Sequence, residues 1–342
     1  MNRLLVPLLG AALALGSACG QTVPHGGVPA TPEASGSAAA EPAKPGRRVP
    51  SDIMPADLDL IVRLDLARAR ASLGAEPMRL LSERALGASD PEPEVRHALE
   101  HADVVWLGLR VADVLDGDRV MFTEEQDKPP KLDPVRWKPT EGGIEGVVVY
   151  EAARPVGRQG TAQIVDIGDG IMAFVSPVEA DSVHRTLHDG PDAERGQPEA
   201  RGLLSLDWRV GRPGVALVNR HPSLAALMTG VRRASAVLDT RGRELELEGR
   251  FQCRDAAAAA RVARFLRTIA DGGRELPRFA KLVSSFELQE SGSLVRIHWV
   301  APPELVVELV REPGPAAAPN ASPAAAPSAA PAVAPSASAP LQ

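Results

Sequence analysis

The placement of turn signals between apolar runs constrains the fold of this chain more than any other feature. A strand, a tight turn, a second strand and a helix follow one another three times. The predicted hairpins, each paired with the helix that follows it, are 162–174 with 177–188, 236–251 with 256–271, and 282–300 with 304–310. Hairpins that alternate with helices predict an α+β fold, in which helices cover one face of antiparallel sheets. A weak similarity between the units predicts two halves, residues 51–200 and 201–312.

Local signals define one strand and the helix after it in particular detail. Asp255 is the predicted N-cap of this helix, and Gly272-Gly273 is its predicted end. The predicted apolar stripe of the helix consists of Val262, Phe265, Leu266 and Ile269. In the preceding strand, alternation gives an apolar side of Leu245, Leu247, Phe251 and Cys253 and a polar side of Glu246, Glu248, Arg250 and Gln252. Cys253 is therefore predicted to be a buried core residue and not a catalytic thiol.

Residues 1–19 carry the clearest functional signal. A positive start at Arg3 precedes the apolar run Leu4–Leu15, which is too short to span a bilayer, and small residues lead from Gly16 to Cys19. This segment resembles a bacterial lipoprotein signal peptide, in which a Leu-rich run, small residues and an invariant Cys form the lipobox. It departs from that pattern at Gly16, where the family has Leu. Residues 16–18 also fit an ordinary small-residue cleavage site.

The resemblance implies that residues 1–18 are a signal peptide and that Cys19 becomes the acylated N-terminus. No Asp follows Cys19, so the sorting habit of that family implies a lipid anchor in the outer membrane, facing the periplasm or the cell surface. Acylation of one of the 2 Cys leaves Cys253 without an intrachain disulfide partner. The membrane is thus a predicted partner, contacted through the lipid.

Low-complexity segments flank the predicted folded body. Residues 20–50 are rich in Pro, Ala, Gly and Ser and lack an apolar period, which predicts a disordered tether over 19–50 with a reach of roughly 30 Å. In the tail, 313–342, Pro recurs at every fourth residue from Pro315 to Pro335. This spacing favours extended polyproline II, which could reach roughly 90 Å. A passive spacer is the favoured interpretation, with recognition by a partner as the alternative.

Composition excludes several function classes. Aromatic residues make up only 3% of the chain, which argues against stacking platforms for bases and against aromatic sugar clefts. The formal net charge is −6 and no long basic run is present, so nucleic acid is not a predicted partner. The chain also lacks a nucleophile elbow, a phosphate-binding loop, a dinucleotide fingerprint and a Cys-x-x-Cys pair. No cofactor is therefore predicted.

One string matches a catalytic motif. His97, Glu100 and His101 form H-x-x-E-H, which resembles the inverse zinc metalloproteases of the insulinase–pitrilysin family. In that family the two His bind zinc, the Glu between them is the base, and a later Glu is the third ligand. Glu179 stands at about the distance at which the resemblance places that ligand. The candidate metal ligands are thus His97, His101 and Glu179.

Helical geometry argues against a zinc site at this motif. A helix through the segment would bury a stripe made of Val95, Ala98, Leu99 and Ala102. At about 100° per residue, His97, Glu100 and His101 fall on the opposite face. A zinc protease needs its ligands inside a walled cleft with supporting hydrogen bonds. We therefore predict a solvated helix face and no metal.

These observations predict a lipid-anchored cell-envelope protein with a non-catalytic binding or structural role. An envelope protein is a candidate partner, and the oligomeric state is left open. One alternative is a periplasmic carrier of a lipid or hydrophobic ligand, which should contain a dry cavity. Another is an enzyme, such as a metal-dependent hydrolase using His97, Glu100 and His101, which should have a deep pocket with perturbed polar groups. A binding protein should instead present a flat or grooved surface.

Overall fold

The computed structural model describes residues 49–74, 77–78, 92–110, 119–124, 130–140, 144–158, 160–190, 201–210 and 222–305. The predicted signal peptide, Cys19, almost all of the tether and the tail lie outside the described residues. Most of the second half's last predicted helix lies outside them as well, although residues 303–305 are helical. Among the described residues, no helix has the length and apolar character needed to cross a membrane.

Apart from the helical residues 77–78 and 303–305, the described residues contain twelve strands, seven α-helices and one 3-10 turn. The strands are β1 (Leu60–Asp65), β2 (Val104–Leu109), β3 (Arg119–Glu124), β4 (Trp137–Thr140), β5 (Val148–Ala152), β6 (Gln163–Gly168), β7 (Ile171–Val175), β8 (Leu204–Arg209), β9 (Val231–Arg241), β10 (Glu244–Cys253), β11 (Glu287–Ser291) and β12 (Leu294–Ala301). The helices are α1 (Pro50–Ile53), α2 (Leu66–Leu73), α3 (Pro93–His101), α4 (Ala180–Asp189), α5 (Pro222–Met228), α6 (Ala256–Glu275) and α7 (Pro277–Ala280). The 3-10 turn, Pro177–Glu179, leads directly into α4. The mixture of helices and antiparallel strands confirms the predicted α+β class.

All twelve described strands belong to one antiparallel sheet, in the order β11-β12-β10-β9-β8-β1-β2-β3-β7-β6-β5-β4. Strand β1 lies near the middle and connects strands from the two predicted halves. Its Leu60 is opposite Leu109 of β2 on one side and Trp208 of β8 on the other. The pairing therefore runs without interruption from residues before 200 to residues after 201, whereas the sequence predicted several sheets.

Helices cover both faces of the sheet around β2, β3, β6 and β7. On one face Phe122 packs in a cluster with Val183 of α4, while on the other face Met121 packs with Ala98 of α3. Adjacent strand residues point to opposite faces, so Phe122 and Met121 mark the two sides. This corrects the prediction that helices cover one face. The reason is visible in β7, where all five residues are buried, as in strands covered on both sides.

Strands β9 to β12 differ, because the described helices pack on only one of their faces. The covered face carries Leu245 and Cys253 of β10, and Cys253 clusters with Val262 of α6. This confirms the predicted apolar side of β10 and the burial of Cys253. The opposite face is here named the open face; it carries Glu248, Arg250, Gln252, Glu287, Gln289 and Arg296, all of them exposed.

The start of α6 follows its sequence signals, and its end does not. Asp255 is the N-cap, and its carboxylate accepts a 2.7 Å hydrogen bond from the Ala258 N–H. The helix continues through Gly272-Gly273 to Glu275. A Cβ on Gly273 would lie 3.0 Å from Val283, so this glycine allows close packing inside the helix and does not end it.

Candidate functional site

The structure places two of the candidate metal ligands on α3. The rings of His97 and His101 stack with their centroids 4.2 Å apart, and His101 Nδ1 lies 2.9 Å from the carbonyl oxygen of His97. Ala98 and Ala102 are buried, whereas Glu100 is exposed and both His are partly exposed. The predicted burial of Ala98 and Ala102 and the predicted exposure of Glu100 are observed. His97 and His101 are only partly exposed, as are Val95 and Leu99 of the predicted buried stripe, so the two sides of α3 are less distinct than the sequence predicted.

The third candidate ligand, Glu179, lies on the other side of the sheet. It precedes α4, whose Val183 belongs to the cluster on the face opposite α3. Its side chain is completely buried and accepts hydrogen bonds from Arg110 at 2.5 and 3.0 Å. The H-x-x-E-H motif and Glu179 are therefore not brought together. Among the residues that the structure describes, no group of three or more His, Cys, Asp and Glu is placed to hold a metal ion.

Arg110 makes a second ion pair, with Asp57, in addition to its contacts with Glu179. The hydrogen bond to Glu179 is the main cause that raises the pKa of this guanidinium above its ordinary value, against an opposing effect of burial. Arg110 follows β2, Asp57 precedes β1 and Glu179 precedes α4. The cluster joins these three segments and gives Glu179 a structural role.

Cys253 has the properties of a core residue. It is buried on the covered face, and burial is the main cause that raises the pKa of its thiol. A raised pKa lowers the thiolate fraction at neutral pH and with it the reactivity.

The open face contains a pair of arginines that the register places side by side. Arg250 of β10 is directly opposite Arg296 of β12, and both side chains are exposed. The same row continues to Ser235 of β9 and to Gln289 of β11. Neither arginine forms an ion pair with any described residue. Two exposed guanidinium groups thus lie side by side on neighbouring strands, and no carboxylate of the described residues pairs with either.

The adjacent row of the open face is acidic. His298 of β12 is opposite Glu248 of β10 on one side and Glu287 of β11 on the other. His298 Nε2 also donates a 2.8 Å hydrogen bond to Glu246, and this bond is the main cause that lowers the pKa of the Glu246 carboxyl. A basic row and an acidic row therefore lie next to each other on the exposed sheet surface.

A shallow groove, open to solvent, lies among these side chains on β10, β12 and β11. Its lining consists of Glu248, Gly249, Arg250, Glu287, Gln289, Arg296, Ile297 and His298. Guanidinium groups bind phosphate and carboxylate oxygens, and carboxylates bind ammonium groups, so the lining can hold charged ligand groups of both signs. Sequence alternation predicted the polar side of β10, but it carried no signal for the pairing of Arg250 with Arg296.

Comparison with known proteins adds little to this geometry. Three solved structures, crystal forms I, III and IV of TP0453, align with TM-scores of 0.45, 0.44 and 0.43 and with 10%, 11% and 12% sequence identity. The alignments cover 78%, 75% and 76% of this chain and 97%, 96% and 95% of those chains. No family model matches the chain, and no curated protein matches it. The likeness is too low to carry an argument, so function is argued from the residues themselves.

Proposed function

We propose that this chain is a lipid-anchored cell-envelope protein that binds a ligand without catalysis through the open face of β9 to β12. The observation that carries the binding role is the unequal covering of the sheet. Around β3 and β7 both faces are packed against helices, whereas the open face leaves Arg250 and Arg296 exposed side by side. A grooved polar surface is what a binding protein presents.

The anchoring part of the proposal rests on the sequence alone. The apolar run Leu4–Leu15, the small residues after it and Cys19 support export and acylation. A tether of roughly 30 Å would let the folded body stand off the membrane surface. The outer membrane is the proposed location.

The repeated strand–turn–strand–helix unit is also kept as a proposal about how the chain is built. The hairpin β6–β7 precedes α4, and the hairpin β9–β10 precedes α6. The hairpin β11–β12 precedes the helical residues 303–305. The shared order of elements supports a common unit.

The anchor is tested by metabolic labelling of cells with a clickable palmitate analogue. The wild-type protein should be labelled and recovered with outer membranes, and Cys19→Ser should be neither. Equal labelling of both proteins would contradict acylation of Cys19. Export without labelling would show that residues 16–18 act as an ordinary cleavage site.

The binding face is tested by placing a photoreactive amino acid at Gln252, which is exposed on the open face next to Arg250. The matched control is Arg264, which is exposed on α6 on the covered side. Illumination of isolated envelopes should give a specific adduct at position 252 that excess purified protein suppresses, and none at position 264. Equal adducts at both positions, or none at either, would contradict binding through the open face.

A further inference from the structure

The opposed arginines repel each other. Directly opposite residues in an antiparallel pair have Cβ atoms about 4.5–5.5 Å apart, and like charges in such a pair destabilise the sheet. Arg250 and Arg296 occupy such a pair and have no ion-pair partner among the described residues. An anion held between the two guanidinium groups would convert this repulsion into two charge-assisted contacts.

The number of donors in this row favours phosphate over carboxylate. A carboxylate has two oxygens, and a single guanidinium fork can occupy both of them. A phosphate monoester has three terminal oxygens, so it can accept hydrogen bonds from Arg250 and Arg296 at the same time. Gln289 stands opposite Arg296 on the third strand and adds an amide donor at the same row.

The acidic row restricts which phosphates can bind. Glu248 and Glu287 lie two residues along their strands from Arg250 and Gln289, which is about 7 Å on the same face. These carboxylates repel a polyanion such as nucleic acid. Glu248 already lies 3.8 Å from the guanidinium of Arg201, so Glu287 is the carboxylate of this row that is left to attract a cation. A ligand that fits both rows carries one phosphate and one ammonium group, a few ångströms apart.

We propose that the groove binds a phosphate ester that also carries an ammonium group, with the phosphate between Arg250 and Arg296 and the ammonium against Glu287. This inference rests on the proposed binding role of the open face and names the class of ligand. The same chemistry occurs in soluble phosphoethanolamine compounds and in the headgroup of a phospholipid. The experiment therefore has an arm for each source.

The soluble arm is a calorimetric titration of the purified full chain, carrying Cys19→Ser to prevent acylation. O-phosphoethanolamine should bind, and inorganic phosphate and ethanolamine should each bind at least about tenfold more weakly. Arg250→Ala and Arg296→Ala should each weaken O-phosphoethanolamine binding about tenfold or more. Glu287→Gln should reduce the preference of the protein for O-phosphoethanolamine over inorganic phosphate. Arg264→Ala, on α6, should bind as the wild type does.

The membrane arm measures co-sedimentation of the same protein with phosphatidylcholine vesicles that do or do not contain phosphatidylethanolamine. Binding that requires phosphatidylethanolamine and is lost in the arginine variants assigns the ligand to a headgroup. Binding of the soluble ester alone assigns it to a soluble compound. A thermal melt shows whether each variant is folded. If an alanine variant is unfolded, the double variant Arg250→Lys with Arg296→Lys takes its place, because lysine keeps the positive charge.

Three results would overturn the proposal. These are no binding in either arm by a folded protein, wild-type affinity in both Arg250→Ala and Arg296→Ala, or equal affinity for inorganic phosphate and O-phosphoethanolamine. If the adduct at Gln252 persists while these titrations fail, the ligand class is wrong and the binding face stands. If both fail, the proposed function itself is contradicted.

Discussion

The carboxylate of Glu179 lies 2.5 Å from Arg110 Nε, and the two residues are separated by 69 positions in the chain. Glu179 is completely buried, whereas a quarter of the Arg110 side chain is exposed and also contacts Asp57. The two partners therefore differ in what their removal leaves behind. Removal of Arg110 leaves the buried Glu179 carboxylate without its ion pair. Removal of Glu179 leaves an arginine that still contacts solvent and Asp57.

This asymmetry gives the first prediction. Arg110→Ala should lower the free energy of unfolding by about 3–5 kcal/mol, because an uncompensated charge is left buried. Glu179→Ala should cost less. Urea unfolding followed by circular dichroism measures both values. An equal or larger loss for Glu179→Ala would show that the pair is not asymmetric in this way.

The packing of α6 gives a second prediction that separates sequence pattern from structure. The sequence predicted both Phe265 and Leu266 in the apolar stripe, but Leu266 is buried and Phe265 is only partly so. Leu266→Ala should therefore cost about 2–5 kcal/mol. Phe265→Ala should cost less than the about 3–5 kcal/mol typical of a buried Phe, and Arg264→Ala should stay within about 0.5 kcal/mol. Thermal or urea unfolding measures the loss of stability in each variant. A larger loss for Phe265→Ala than for Leu266→Ala would contradict the prediction.

The close approach of β10 and β12 gives a third prediction. A Cβ on Gly249 would lie 2.6 Å from Ile297 Cδ1, so Gly249→Ala should destabilise the protein by about 1–3 kcal/mol. Ile297→Ala in the same chain should remove the clash, so the double variant should be more stable than the sum of the two changes predicts. A Cβ on Gly157 would meet no atom within 4 Å, which makes Gly157→Ala the control. Additive effects of Gly249→Ala and Ile297→Ala would refute the close contact.

The bond between His298 and Glu246 gives a fourth prediction, on pH. The pKa of Glu246 is lowered from its ordinary value of 4.5, chiefly by that hydrogen bond. A lowered carboxyl pKa in the folded state stabilises the protein above pH 4.5, and this stability is lost as the pH falls through the folded-state value.

Because the pair is partly exposed, the expected loss is small, about 0.5–1 kcal/mol after solvent screening. Urea unfolding of the wild type between about pH 5 and pH 3 should show a steeper decline than that of Glu246→Gln. Glu244→Gln, on the same strand, is the control and should follow the wild type. Parallel curves for the wild type and Glu246→Gln would contradict the assignment.

The elements that the sequence predicted correctly depend on local signals. Asp255 caps α6 through a hydrogen bond to a residue three positions away, and Leu245 shares its face with Cys253 through strand alternation. Both relationships are set by the geometry of a single element, so a short stretch of sequence contains them.

The elements that it missed depend on long-range pairing. Arg250 meets Arg296 only because β10 pairs with β12 in one register, and a shift of a single residue would send either side chain to the other face. The covering of β7 by helices on both sides likewise depends on where α3 and α4 pack. Nothing in the local pattern of these segments specifies those partners.

The rate of thiol labelling at the open face in isolated envelopes tests the central claim most directly. Ser235→Cys places a thiol opposite Arg250, and Arg264→Cys places one on α6 as a control. Native Cys253 is buried with a raised pKa and should react slowly. If the open face is occupied in the envelope, Ser235→Cys should react with maleimide several-fold more slowly there than in the purified chain, and Arg264→Cys equally fast in both. Equal rates for Ser235→Cys in both preparations would contradict a ligand on the open face.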